Sequence, residues 1–154
     1  MSPGSSIHAS CVMIGQIGVL IRGPAGAGKS TLAWTLIETE TNAGRPAVLV
    51  ADDRVLLAVE EGGLVARAPE RLAGMIELRG LGLLSVAFVP QARLGLVVDL
   101  VEDLPHRLPL PQEQVIDIEG VSLPHLAVQR ALAAILIRAR LNPTVTIVPS
   151  DKPA

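Results

Sequence analysis

The chain has 154 residues, a length that suits one domain with its own core. Hydrophobic residues make up 49% of it and charged residues 18%, a composition that excludes overall disorder. A net charge of −2, the absence of Tyr and an aromatic content of 1% leave no basic face or stacking platform, so we expect no nucleic-acid partner.

The amino-terminal residues lack the basic and then apolar pattern of a secretory leader, and no apolar run has the length of a membrane span. We therefore expect a cytoplasmic protein without a membrane partner. We predict disorder over residues 1–6, a single domain over residues 7–141 and a flexible tail over residues 142–154. The only cysteine, Cys11, lies among apolar residues, which predicts a buried and reduced thiol.

A glycine-rich loop is the most informative motif. Residues 23–30 read Gly-Pro-Ala-Gly-Ala-Gly-Lys-Ser and fit G-x-x-x-x-G-K-[ST], the phosphate-binding P-loop. An aliphatic run over residues 18–22 predicts a buried strand before the loop, and apolar residues at helical spacing over residues 30–38 predict a helix after it. Strand, glycine loop and helix are the order that a P-loop requires. The predicted nucleotide-binding residues are Gly23, Pro24, Ala25, Gly26, Ala27, Gly28, Lys29, Ser30 and Thr31.

The chemistry of such a loop comes from its backbone. Small residues let consecutive N–H groups turn inward, and the positive end of the following helix adds to their attraction for a phosphate. Lys29 is then expected to reach the β- and γ-phosphates of ATP, and the Ser30 hydroxyl to bind Mg²⁺. The alternative is a glycine turn that only caps a helix.

An acidic pair follows the next predicted strand. A turn over residues 42–46 precedes an apolar strand over residues 47–51, which ends on Asp52 and Asp53. Adjacent side chains at a strand end point in different directions, so one carboxylate can bind Mg²⁺ while the other accepts a proton from an attacking hydroxyl. The alternative is a turn whose acids are simply solvated.

The rest of the chain predicts short strands and one late helix, and hence an α/β domain with a mixed sheet. The predicted elements are a hairpin of residues 55–59 and 64–66 around glycines in 60–63, an alternating segment over 76–79 interrupted at 80–82, a core strand over 94–100, an irregular proline-rich segment over 105–111 and a helix over 131–140.

Glu77 and Arg79 lie two residues apart and would share one face of a strand. The neighbouring Gly80 and Gly82 permit a close approach, so the pair is a candidate border of the phosphate site. An ordinary surface ion pair would give the same pattern.

Together, these segments resemble the HPr kinase/phosphorylase family through its catalytic, carboxy-terminal domain. The resemblance covers residues 7–101 in order: Ile7-His8, the strand and P-loop of residues 18–30, the segment 49–55 around the two aspartates, and Ile-Glu-Leu-Arg-Gly-Leu-Gly at residues 76–82. The last of these is far more specific than the P-loop, which many unrelated families share.

The resemblance implies a P-loop fold related to phosphoenolpyruvate carboxykinases and a serine kinase that uses ATP and Mg²⁺. Its substrate would be HPr or an HPr-like phosphocarrier of the sugar phosphotransferase system, with reverse phosphorolysis by inorganic phosphate, and family members assemble as hexamers. By position, Asp52 would be the catalytic base, acting with Lys29, His8 and Arg79. Ser30, Asp53 and Glu77 are expected near the metal. From sequence alone, a lone histidine near a strand is more often structural, and it is the resemblance that favours a functional role for His8.

The chain departs from the family pattern in three places. Full-length members carry an amino-terminal domain, whereas this chain resembles the truncated forms of some alphaproteobacteria. Thr31 stands where the family often has an acidic residue, and the family's carboxy-terminal proline- and arginine-rich stretch has no counterpart after residue 128, where Arg130 is one candidate replacement. Two alternative functions therefore stay open: a P-loop kinase for a small metabolite, and a nucleotide-binding regulatory module without transfer activity.

Overall fold

The computed structural model describes residues 4–149, which form a mixed sheet with two α-helices. The strands are β1 (Ser5–Ile7), β2 (Ser10–Ile14), β3 (Ile17–Arg22), β4 (Ala47–Ala51), β5 (Val55–Glu60), β6 (Gly63–Arg67), β7 (Met75–Leu78), β8 (Gly82–Ser85), β9 (Gln91–Val101), β10 (Val115–Ile118) and β11 (Val121–Gln129). The helices are α1 (Lys29–Asn42) and α2 (Ala133–Leu141), and short 3₁₀ turns span Glu70–Leu72, Pro111–Glu113 and Arg130–Leu132.

The strand order brings three functional segments to one edge of the sheet. The main sheet runs β1-β5-β6-β9-β3-β2-β4, with β11 beside β9 and β10 outside β11. Strand β2 is antiparallel to both β3 and β4, so β3 and β4 run in the same direction. The carboxyl ends of β3 and β4 therefore lie at the same edge as the start of β2. The predicted mixed sheet is confirmed.

Both faces of the sheet are buried, as the aliphatic composition requires. One apolar cluster packs between the sheet and the two helices and includes Leu36, Leu96 and Ile137. The other lies on the opposite face and includes Leu20 and Cys11. Cys11 is fully buried, as predicted, and its burial raises the pKa of the thiol. Within residues 4–149, no helix combines the length and the apolar character needed to cross a bilayer.

Helix α1 begins directly after the P-loop and buries one apolar stripe, which contains Leu32, Ala33 and Leu36. Its last turn carries a buried acid, Glu40, which lies against two arginines. Arg138 of α2 donates from Nε to Glu40 Oε1 at 2.7 Å. Arg45 Nε lies 2.6 Å from Oε2 and forms an ion pair with it. The geometry of this contact is not that of a hydrogen bond, so Oε2 accepts none. This cluster ties α1 to α2 and to the turn before β4.

The strands predicted before and after the P-loop, the hairpin, the core strand β9 and the late helix are all present. The hairpin turn differs in detail, because its two positive φ angles belong to Glu61 (51°) and Gly62 (77°). Gly63 instead lies in β6 where the Arg93 side chain passes, and a Cβ there would clash with the guanidinium. The alternating segment predicted over residues 76–79 corresponds to β7, which ends at Leu78, whereas β8, β10 and β11 are strands that local patterns did not predict.

The predicted boundaries of the domain need one correction. Residues 1–6 were expected to be disordered, but Ser5 and Ser6 belong to β1 and pair with Leu57 and Leu56 of β5. The polar serines suit this position because an edge strand can be exposed on one face. Residues 1–3 lie outside the described residues. Of the predicted tail, residues 142–149 contain no helix or strand, and residues 150–154 lie outside the described residues.

Candidate active site

A cavity of about 520 Å³ opens at the sheet edge where β3 and β4 end. It brings together most of the predicted site residues: His8, Ala25, Gly26, Gly28, Lys29, Ser30, Thr31, Asp52, Asp53, Glu77 and Arg79. Three predicted loop residues, Gly23, Pro24 and Ala27, are not part of its lining. The lining also includes Ser10 and Arg130 and an apolar group of Leu72, Met75 and Leu83.

The P-loop keeps the backbone conformation that only glycine adopts easily. Gly26 has φ 81° and Gly28, the N-cap of α1, has φ 96°. Lys29 is buried, and its Nζ donates to the carbonyl oxygens of Gly23 (2.7 Å) and Pro24 (3.0 Å). Burial lowers the pKa of Lys29, while the nearby charges of Asp52 and Asp53 act in the opposite direction.

Asp52 is turned into the protein at the end of β4 and is 4% exposed. Ser30 Oγ lies 2.7 Å from its Oδ1 and 2.9 Å from its Oδ2. Ser10 Oγ donates to Oδ1 at 2.6 Å, and the Glu77 backbone N–H donates to Oδ2 at 3.3 Å. Among the described residues no arginine or lysine forms a salt bridge with Asp52, so neutral donors alone hold this buried carboxylate.

Asp53 faces the other way, as expected for adjacent residues at a strand end. Its backbone has φ 69°, a left-handed conformation that Asp tolerates better than most residues, and its side chain is 66% exposed. Its Oδ1 lies 2.9 Å from His8 Nε2, which places His8 in the site rather than in the core. The two aspartates therefore have different surroundings and different access to solvent.

Glu77 and Arg79 both line the cavity, but not as two residues of one strand. Strand β7 ends at Leu78, and Arg79 begins the turn to β8. Both side chains are exposed, and among the described residues no salt bridge joins them. The interpretation as an ordinary surface ion pair is therefore not supported.

Ser10 was missed by sequence analysis, although it contacts Asp52 directly. One signal was available: it is the only hydroxyl residue in the apolar strand Ser-Cys-Val-Met-Ile. Its importance depends on the register of β2 against β4, in which Cys11 pairs with Ala51 and Ser10 comes to lie beside Asp52. No local pattern predicts that register. The apolar part of the lining likewise comes from segments without a motif.

The donor set suits a magnesium ion bound together with phosphates. Mg²⁺ prefers oxygen ligands and is usually held by one or two carboxylates plus substrate phosphates. The Ser30 hydroxyl and the Asp52 carboxylate provide such oxygens beside the P-loop. Within the described residues, no group of three or more His, Cys, Asp or Glu side chains forms an all-protein metal cluster.

Comparison with known proteins agrees with this geometry. Residues 1–133 match the family model of the HPr serine kinase C-terminal domain. The chain belongs to this family. The family and the α/β fold predicted from the sequence are thereby confirmed.

The relatives of this HPr serine kinase C-terminal domain include two bacterial proteins named HPr kinase/phosphorylase. The protein from Geobacillus thermodenitrificans is 35% identical over 92% of this chain and 49% of its own length. The protein from Azoarcus sp. (strain BH72) is 38% identical over 91% of this chain and 48% of its own length. This chain thus spans about half the length of the curated relatives it matches.

A solved structure, that of the HPr(Ser) kinase/phosphatase from Coxiella burnetii, is similar to this domain with a TM-score of 0.69 and 30% sequence identity. The match covers 86% of this chain and 91% of that chain. The similarity therefore extends over nearly the whole HPr serine kinase C-terminal domain described above and is not confined to the P-loop.

Proposed function

We propose that this chain is an ATP- and Mg²⁺-dependent protein serine kinase whose acceptor is HPr or an HPr-like phosphocarrier. The observation that carries the proposal is the pair of carboxylates next to the P-loop. Asp52 is buried against Ser30, and Asp53 is open to the cavity beside His8. Phosphoryl transfer needs both a metal-binding carboxylate and an accessible base, and these two side chains have the matching environments.

The contacts favour a division of roles opposite to the one predicted from the sequence. Both oxygens of Asp52 are engaged by Ser30, the P-loop residue that binds Mg²⁺ in such sites. Asp53 is exposed and can approach a substrate hydroxyl, and its contact with His8 restricts its orientation. We therefore propose that Asp52 and Ser30 bind Mg²⁺ and that Asp53 accepts the proton of the seryl hydroxyl.

The remaining residues bind and orient the reactants. The P-loop N–H groups and Lys29 hold the β- and γ-phosphates, and Lys29 exchanges its loop carbonyl contacts for phosphate oxygens. Arg79 lies on the cavity wall, where a guanidinium can stabilise the transferring phosphoryl group. Mg²⁺, when bound, neutralises negative charge on the phosphates. Glu77 acts at this site mainly through its backbone N–H, which holds Asp52.

In the forward direction, the seryl oxygen forms a bond to the γ-phosphorus and the bond to the ADP oxygen breaks. The seryl proton moves to Asp53. In the reverse direction, an oxygen of inorganic phosphate forms a bond to the phosphoserine phosphorus, and the bond between that phosphorus and the seryl oxygen breaks, which gives pyrophosphate. Asp53 takes the proton of the attacking phosphate and passes it to the seryl oxygen. The same carboxylate therefore serves both directions.

The rim of the cavity favours a protein acceptor over a small metabolite. Leu81 and Leu83, in and after the turn between β7 and β8, are 72% and 63% exposed, and Leu83 also lines the cavity. Apolar side chains exposed beside a reactive site suit contact with another protein. A kinase for a small polar metabolite gains nothing from them.

The test is incubation with Mg²⁺ and γ-labelled ATP, with and without an HPr-like protein, followed by mass mapping of phosphoserine. We expect label only when the acceptor is present, and a loss of label by about 10²-fold or more in Lys29→Ala. Asp53→Asn is expected to bind ATP and Mg²⁺ like the wild type but to lose transfer. Full transfer by Asp53→Asn would exclude it as the base, and tight ATP binding without any transfer would favour a regulatory module.

A further inference from the structure

A second, smaller cavity of about 290 Å³ adjoins the candidate active site. It lies between the first turns of α1 and the start of α2, and it shares Gly28, Thr31 and Arg130 with the larger cavity. We propose that the smaller cavity is the nucleoside subsite and that Arg130, at its boundary, binds the phosphate nearest the nucleoside. This inference rests on the proposed function.

The order of residues along α1 sets the direction of the nucleotide. Lys29 and Ser30 hold the terminal phosphates in the proposed site, and Thr31 is the next residue and lines both cavities. Thr35, one turn further along the helix, lines only the smaller cavity. Asp52 and Asp53 also line the larger cavity, and their negative charges disfavour further phosphates beside them. A nucleotide that extends from Ser30 past Thr31 therefore enters the smaller cavity.

The lining of the smaller cavity suits a base and a ribose. Leu32, Ala131 and Ala134 provide apolar surface, and the two threonines provide hydroxyls. The Thr35 hydroxyl donates to the Thr31 carbonyl oxygen at 2.8 Å and keeps its acceptor lone pairs for a ligand. Small-molecule sites are mostly apolar with a few placed polar groups, which matches this set.

Arg130 has the position and the free donors of an anion-binding residue. Its side chain is exposed, and within residues 4–149 it makes no hydrogen bond or ion pair that would occupy the guanidinium. It passes directly over the P-loop: a Cβ built on Gly28 would come 2.9 Å from Arg130 Nε. Because position 28 has no side chain, the guanidinium can approach the loop closely, which sets five N–H donors beside the backbone N–H groups.

The packing of α2 holds the backbone of Arg130 in place, so the guanidinium extends from a fixed position. The 3₁₀ turn Arg130–Leu132 leads directly into α2, whose Ala133 and Ile137 are fully buried.

The test of this proposal compares the binding of a nucleotide with that of a ligand that has phosphates only. Calorimetric titration with ATP and with inorganic tripolyphosphate, both with Mg²⁺, measures the affinity of each variant for each ligand.

Ala134→Met fills the smaller cavity, and Ala139→Met, at an exposed position of the same helix, is its matched control. We expect Ala134→Met to weaken ATP binding by about tenfold and to leave tripolyphosphate binding unchanged. Arg130→Ala is expected to weaken the binding of both ligands by about tenfold. The matched control Arg140→Ala, an exposed arginine of α2, should weaken neither.

The outcomes separate this inference from the proposed function. A wild type that binds ATP and tripolyphosphate equally well overturns the nucleoside subsite alone, as does an Ala134→Met variant with unchanged ATP affinity or with equal losses for both ligands. Unchanged binding in Arg130→Ala overturns the role of Arg130. A wild type that binds neither ligand overturns the proposed function and the subsite with it.

Discussion

The two ends of α1 each lie next to a buried carboxylate, and these two carboxylates have opposite surroundings. At the carboxyl end, Glu40 is 1% exposed and lies against Arg45 and Arg138. At the amino end, Asp52 is 4% exposed and receives hydrogen bonds from Ser10, Ser30 and one backbone N–H. Glu40 is neutralised within the chain, whereas Asp52 has only neutral donors as direct partners.

The difference shows that burial alone does not identify a functional acid. A buried carboxylate is tolerated when cations and hydrogen bonds offset its loss of hydration. The charge on its partners shows whether the negative charge is already balanced within the chain. Two arginines balance the charge of Glu40, which therefore has a structural role. Hydroxyl partners beside a phosphate-binding loop leave Asp52 suited to a cation that arrives with the substrate.

The largest expected effect is on stability, at Glu40. Glu40→Ala leaves Arg45 and Arg138 without their common partner and removes the link between α1 and α2. We expect the free energy of unfolding to fall by about 3–5 kcal/mol, as for other broken buried ion pairs. Urea denaturation followed by circular dichroism measures it.

Glu38→Ala is the matched control, because Glu38 is an exposed acid on the same helix. Its replacement should change the free energy of unfolding by less than about 0.5 kcal/mol. If both variants lose the same stability, the helix rather than the ion cluster is responsible. ATP affinity, measured at a temperature where Glu40→Ala is folded, should remain that of the wild type, since the cluster lies at the far end of α1 from the P-loop.

The next effect is on function, at Asp52. Asp52→Asn keeps an acceptor for Ser30 and Ser10 and removes the buried charge, but its amide nitrogen replaces the oxygen that accepts from the Glu77 N–H, so we expect the free energy of unfolding to change by less than about 1 kcal/mol. Phosphoryl transfer should fall by about 10²–10³-fold. Titration of ATP with and without Mg²⁺ should show that Mg²⁺ no longer improves binding. An undiminished effect of Mg²⁺ in this variant would place the metal on other residues.

The sequence predicted those parts of the site that are local in the chain. The P-loop, the strand before it and the aspartates after β4 are short patterns whose meaning depends on a few neighbouring residues. That the two aspartates point in different directions was predicted, but which of them is buried was not predictable in the same way. It depends on the left-handed backbone at Asp53 and on the contact of that residue with His8, 45 positions earlier.

The parts that could not be predicted depend on pairing between distant segments. Ser10 reaches Asp52 because β2 lies between β3 and β4, which no local pattern specifies. Ser5 and Ser6 of β1 were expected to be disordered, yet the edge of β5 provides their hydrogen-bond partners. Arg130 could be named as a candidate from the sequence, but its position over Gly28 required the structure.

A third carboxylate, Asp99, has both an arginine and a histidine as partners and is more exposed to solvent than Glu40 or Asp52. Of the three, its replacement should have the smallest effect. Asp99 is half-buried and accepts two hydrogen bonds from Arg22, one from Nε and one from Nη2, each at 2.8 Å. His125 Nε2 also lies 2.8 Å from Oδ2 of Asp99. Burial alone would raise the pKa of Asp99, but the contacts with Arg22 and His125 outweigh it and lower the pKa. Asp99 is therefore a structural acid like Glu40, with more solvent around it.

The sign of the pH effect follows from this lowered pKa. The folded state binds the Asp99 proton more weakly than the unfolded state, so its contribution to stability is present above the unfolded pKa of about 3.9 and is lost as the pH falls through the folded pKa. Asp99→Asn should lower the free energy of unfolding at pH 7 by about 1.5–3 kcal/mol. Its difference from the wild type should shrink toward zero in strong acid.

Urea denaturation of the wild type and of Asp99→Asn from pH 7 down to the acid transition checks this prediction. Asp103→Asn, at an exposed position just after β9, is the matched control and should follow the wild type at every pH. A constant difference between Asp99→Asn and the wild type would mean that shape and packing at this position matter and its charge does not. A difference that shrinks in acid would instead assign the stability to the ionised carboxylate, because protonation of Asp99 weakens the same contacts that the substitution removes.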